Sequence, residues 1–262
     1  MKFFPSRLDL KDFFLEIFWF LSKSDVELRN PWISCSEIEF LKQFDEYQRD
    51  QFLRQIPFIR KERWNYISID KIAFILEAME FLRKDLQALS ELLDCHGFEV
   101  LIQEILKRNG YYSLRNFHFS DKSNFKNKTK QKKYEIDVIG FNNKYMLCID
   151  AKQWRKKDSY ASINKAANLQ FQRILALQHN PNTLSAMLQG LIGMSKMKRL
   201  RLPFFLVPIM VTLEDNTSRF NEQNIPLVSI YQFNAFLQEF YLNLPHFCKV
   251  KVNRLSYQAQ LF

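Results

Sequence analysis

The chain has 262 residues, 47% of them apolar and 26 of them phenylalanine, with only 5 glycines and 8 prolines, which excludes a disordered or low-complexity chain. That length accommodates either one large domain or a core domain with a smaller neighbour. A formal net charge of +10 favours polyanionic partners, nucleic acid ahead of anionic membrane, although lysine-rich proteins also carry such charge for solubility alone.

Cys35, Cys95, Cys148 and Cys248 lie far apart without CxxC spacing, so neither a zinc site nor a disulfide framework is expected. The apolar stretch Phe3 to Leu21 is interrupted by Arg7, Asp9, Lys11, Asp12 and Glu16, so it reads as neither a membrane span nor a signal peptide. An intracellular, nucleoid-associated protein is the expectation, with no membrane partner and no small-molecule substrate.

Helical periodicity covers Leu8 to Ser22 and Glu37 to Leu53, the second preceded by Ser34, which stands three residues before Glu37 as in a capping box. Short β-like runs, Phe58 to Arg60 and Tyr66 to Ile69, flank a polar centre at Glu62 to Asn65 and predict a hairpin. A third helical stretch runs from about Asp70 to Leu93. The first 94 residues therefore read as a mainly helical domain, a winged-helix variant that binds DNA or a partner, and residues 95–262 as a second domain.

From Gly97 the order changes. A helix over Phe98 to Arg108 stops at Asn109 and Gly110. Strands are predicted at Tyr111 to Phe119, Tyr134 to Phe141 and Tyr145 to Lys152, the last two joined by a tight turn at Asn142 and Asn143. A helix over Tyr160 to Gln178, strands at Phe204 to Leu213 and Pro226 to Ile230, and a closing helix over Tyr231 to Tyr241 complete an α/β domain with a central sheet.

Strand alternation places Asp150 and Lys152 on one face, about 7 Å apart along the strand, with Tyr145, Leu147, Ile149 and Ala151 on the other. Two charges so near a buried sheet must be paired or bind a metal. Asp137, on the preceding antiparallel strand, supplies a second carboxylate, and the two make a hard-oxygen site suited to Mg²⁺. On the helix, Phe98, Leu101, Ile102, Ile105 and Leu106 form an apolar arc; Glu99 falls about 20° past its edge, against about 60° for Glu104 beyond the other. Glu99 can turn inward to a site, or equally remain a solvated helix glutamate.

Taken in order, Gly97 to Tyr111, Ile136-Asp-Val-Ile-Gly140 and Ile149-Asp-Ala-Lys152 resemble the PD-(D/E)xK (restriction-endonuclease-like) nucleases, most of all their Mrr-like and archaeal Holliday-junction-resolvase-like members. The resemblance extends over about Gly97 to Ile230, and Ile136 stands where the name-giving pattern has proline. It implies a restriction-endonuclease-like core with a central mixed sheet flanked by helices. It also implies a Mg²⁺-dependent DNA endonuclease of repair, recombination or restriction, with Mn²⁺ able to substitute. Glu99, Asp137 and Asp150 then bind metal, Lys152 assists the attacking water, and a homodimer cuts both strands. The other reading is a non-catalytic DNA-binding or assembly subunit that keeps the fold.

Lys122, Lys126, Lys128, Lys130, Lys132 and Lys133 precede the Asp137 strand and either track a phosphate backbone or form a solvated loop. Arg155, Lys156 and Lys157, with Trp154, follow the Asp150 strand directly and must lie near the site. A third basic cluster comprises Lys196, Lys198, Arg199 and Arg201, and Lys165 and Gln170 are further candidates, for supporting or nucleic-acid contacts. Near the N-terminal hairpin, Arg54, Arg60, Lys61, Arg63 and Trp64 make either a DNA-binding wing or an ordinary basic surface. His96, His118, His179 and His246 show no HxxxH or HNH-like spacing, and Gly-rich phosphate loops and serine-nucleophile motifs are absent, which argues against a zinc hydrolase, an NTPase and a triad hydrolase.

Overall fold

The computed structural model describes residues 7–82, 86–120, 133–142, 144–153, 160–213 and 218–256. They divide into two compact units, Met1–Leu101 and Ile102–Phe262.

The first unit comprises α1 (Arg7–Lys23), β1 (Trp32–Ser34), two 3-10 turns (Cys35–Glu37 and Glu39–Gln43), α2 (Glu46–Leu53), β2 (Ile59–Lys61), β3 (Tyr66–Ile69), α3 (Lys71–Leu82) and α4 (Leu86–Ser90). The continuous helix expected over Glu37 to Leu53 is replaced by the two 3-10 turns and the short α2. The Ser34–Glu37 capping box is present but starts only a single turn, which ends at extended Ile38. The Phe40 N–H, which a continuous helix would have used internally, instead donates to the Glu16 carboxylate of α1 at 3.1 Å. A second capping box, Asp45 with Gln48, then begins α2.

The expected hairpin forms, β2 antiparallel to β3, and β1 adds a third strand, unpredicted because three residues show no period, in the order β1-β3-β2. Phenylalanines build this unit's core. Phe13 meets Phe52 edge to face at 5.2 Å, and Phe58 meets Phe14 and Phe74 at the same distance. Such pairs each add about 0.5–1.5 kcal/mol beyond their area burial.

Helix α5 (Cys95–Arg108) runs across the division between the units. Asp94 caps its start by accepting from Gly97 N. Its end is a Schellman motif: Gly110 (φ +79) donates to Lys107 O and Tyr111 N to Leu106 O.

The second unit continues with β4 (Tyr112–Ser120), β5 (Lys133–Asn142), β6 (Tyr145–Lys152), α6 (Tyr160–Gln178), α7 (Pro181–Ile192), α8 (Met194–Lys198), β7 (Phe204–Thr212), β8 (Leu227–Ser229), α9 (Ile230–Asn243), a 3-10 turn and β9 (Val250–Val252). The sheet is six-stranded and mixed, in the order β4-β5-β6-β7-β8, with β9 also on β7. β4, β5 and β6 pair antiparallel, while β6-β7 and β7-β8 are parallel. As in other parallel centres, β7 reads as a continuous apolar run because both its faces are covered. Pro208 faces Cys148 of β6 and, on the other edge, sits between the stretches paired with β9 (Phe204 to Leu206) and with β8 (Met210 to Thr212), a gap in which a missing N–H leaves no ladder bond unmade.

On one face of the sheet, Met146, Cys148 and Leu206 pack with Ile174 and Leu177 of α6 and Leu184 and Leu188 of α7. On the other, Tyr145 meets Phe240 of α9 edge to face, and α5 approaches β5 at Gly140. A Cβ at Gly140 would lie 2.8 Å from Leu106 Cδ2, so the glycine allows the helix its close approach. Asn109, directly after α5, donates to Asn234 Oδ1 of α9.

Candidate active site

Toward its open end the β5-β6 ladder closes on Val138 opposite Ile149. One step further, Asp137 and Asp150 stand across from each other, and the Ala151 N–H donates to Asp137 Oδ2 at 2.8 Å. Alternation along β6 turns Asp150 and Lys152 to the α6 face, opposite Tyr145. Lys152 Nζ lies 3.1 Å from Asp150 Oδ2 and 3.8 Å from Asp137 Oδ2. The predicted Asp137, Asp150 and Lys152 are therefore brought together by two adjacent strands.

A fourth charged group joins them. Arg173 of α6 donates to Asp150 Oδ1 at 2.6 Å and to Gln170 Oε1 at 3.1 Å, while Gln170 Nε2 donates to Cys148 O at 3.0 Å. Gln170 is fully buried and holds Arg173 against β6. Sequence reasoning missed Arg173. Its signal was Gln170 itself, a polar residue within the buried stripe Ile163, Ala167, Gln170, Ile174 and Leu177, with an arginine one turn later.

Two cations thus face two carboxylates. Burial, and after it the adjacent Asp150 carboxylate, pushes the Asp137 carboxyl above its usual range; Lys152, the Ala151 N–H and Arg173 pull it back. Asp150 is 1% exposed, and among the described residues its buried Oδ2 has no hydrogen-bond partner although it faces the Lys152 ammonium.

Among the described residues, no three His, Cys, Asp or Glu side chains are grouped to hold a metal ion. The pair nevertheless fits a hydrated Mg²⁺, which takes one or two carboxylates and keeps its remaining positions for water and phosphate. Asp150 Oδ2 and the second oxygen of Asp137 would be the donors to such an ion, since Asp150 Oδ1 and Asp137 Oδ2 already accept from Arg173 and Ala151.

Glu99 belongs to the part of α5 in the first unit, where its largely buried carboxylate stands 3.6 Å from His96 Nδ1. Lys133 is exposed at the start of β5, and Lys165 is exposed on α6. Lys196, Lys198, Arg199 and Arg201 are exposed, with Lys196 bonded to the Tyr112 hydroxyl. Lys122, Lys126, Lys128, Lys130, Lys132, Asn143, Trp154, Arg155, Lys156 and Lys157 lie outside the described residues.

No family model and no curated protein matches the sequence. The crystal structure of protein VC1899 from Vibrio cholerae is similar at 12% identity over 93% of this chain, with a TM-score of 0.33. The chain spans 58% of the length of that protein.

Proposed function

We propose that the second unit is a PD-(D/E)xK-type nuclease domain that hydrolyses DNA phosphodiester bonds with Mg²⁺, or Mn²⁺ in its place. The observation that carries this reading is the convergence of Asp137, Asp150 and Lys152 at one end of β5 and β6. Asp137 and Asp150 would hold the ion, which when bound supplies charge stabilisation at the phosphate and a more acidic water. Lys152, with its ammonium less buried than the carboxylates, orients the attacking water or holds a phosphate oxygen. Gln170 and Arg173 fix the Asp150 carboxylate from behind. The proposed centre rests on these residues. DNA is the proposed partner and a homodimer, which would set one such centre on each strand, the proposed assembly.

One observation favours a second reading, a non-catalytic DNA-binding or assembly subunit. The Arg173–Asp150 bond and the Lys152 ammonium neutralise the acidic pair without any metal. A cleavage assay separates the two. Linear, single-stranded, flapped and four-way-junction DNA are incubated with Mg²⁺, Mn²⁺ or EDTA and wild type or Asp150→Ala. Metal-dependent cutting abolished by the substitution supports the enzyme; tight binding by the wild type without cutting of any substrate supports the subunit.

A further inference from the structure

The small sheet of the first unit has two unlike faces. Ile33, Ile59, Ile67 and Ile69 are buried on the inner one. Alternation turns Trp32, Arg60 and Tyr66 outward, and the register sets Trp32 and Arg60 on either side of Ser68. All three outward side chains are exposed. At the β2-β3 turn, Glu62 N donates to Tyr66 O and Tyr66 N to Arg63 O, and Asn65 O accepts from Cys35 N beyond β1. The turn is held on both sides.

At its tip Trp64 is 90% exposed and has a φ of 60°, as does Asn65. A left-handed backbone is ordinary for asparagine and costly for a bulky residue, so a strained, solvated indole marks a role outside folding. The acids nearby are already engaged: Glu62 accepts from Ser68 and Asp50 pairs with Lys61. Arg60, on the outward face, and Arg63, next to Trp64 in the turn, are exposed cations.

We infer that the outer face of this sheet and its tip bind a single-stranded or frayed segment of nucleic acid, with an unpaired base stacked on Trp64 and phosphates held by Arg60 and Arg63. Stacking on an aromatic ring requires an unpaired or opened base, and arginines beside the ring supply phosphate contacts. A membrane surface is the poorer fit, because insertion needs an extended apolar face, whereas here Trp32, Tyr66 and Trp64 are interleaved with Arg60, Ser68 and Arg63. The inference deepens the proposed action on DNA by naming the substrate feature recognised. It concerns binding by the first unit, so it succeeds or fails separately from the catalytic reading.

The test is fluorescence anisotropy of the full-length chain in EDTA with a labelled single strand and with a blunt duplex of equal length. Trp64→Ala is expected to weaken single-strand binding by roughly five- to a hundredfold, the range for one stacked base, and duplex binding by less. Trp64→Phe should retain most of the affinity, and Arg63→Ala should weaken binding and lower its salt dependence. Wild-type single-strand affinity in Trp64→Ala, or tighter binding to vesicles containing phosphatidylserine than to the single strand, would overturn the inference.

Discussion

Arg173 reaches across from α6 to Asp150, its guanidinium donating to Oδ1 at 2.6 Å from a position fixed by the wholly buried Gln170. Removing one partner of a buried ion pair leaves the other charge uncompensated, at a cost of about 3–5 kcal/mol. Lys152 still faces Asp150 in the variant, so Arg173→Ala is expected to lose about 3 kcal/mol, the low end of that range. The check is the urea midpoint in EDTA; an unchanged midpoint would show that the bond contributes nothing to stability.

Lys152 has a different part in the proposed chemistry. If it orients or activates the nucleophile, Lys152→Ala should lower the cleavage rate by about 10²–10⁴-fold. Substrate affinity measured in EDTA should change little. Loss of binding with an unchanged single-turnover rate would reassign Lys152 to DNA attachment.

Gly140 tests the approach of α5 to β5. In Gly140→Ala the new methyl meets the side chain of Leu106, itself fully buried and unable to swing into solvent. Overpacking of this kind costs about 1–3 kcal/mol. The double variant Gly140→Ala with Leu106→Ala should be less destabilised than the sum of the two single changes, as read by a double-mutant cycle in urea.

Lys71 gives the first unit a pH dependence. Burial pushes its ammonium below the usual lysine range, against the pull of Asp25 and Asp94, while Nζ donates to the carbonyls of Asp25 and Leu92. Between the folded and unfolded values the folded chain binds fewer protons, so stability rises with pH toward about 10.4, the ordinary lysine value. Denaturation of wild type and Lys71→Met across that window should show the wild type gaining on the variant as pH increases. A constant difference would remove Lys71 as the cause.

Much of the second unit was legible in the sequence because its signals are local. The apolar arc of α5 is buried as its period requires, Asn109 and Gly110 end the helix, and β6 spans Tyr145 to Lys152 as alternation indicates. α7 and β9 were not foreseen. α7 has a local start signal in Asn180 followed by Pro181, whereas β9 has only three residues and exists by pairing with β7. In the first unit, the periodicity over Glu37 to Leu53 misled because a tertiary bond from Phe40 to Glu16 outweighed local helix propensity.

At the candidate site, the strand face that carries Asp150 and Lys152 and the place of Asp137 on the neighbouring strand are written locally, since alternation and a tight turn are set within a few residues. The other contacts of the site come from packing. It set Arg173 and Gln170 against Asp150, on a helix that begins eight residues after β6 ends and is aimed by packing on the sheet. A buried carboxylate selects its partner by where the fold allows a cation to reach it without leaving either charge unsatisfied, and no spacing along the chain encodes that distance.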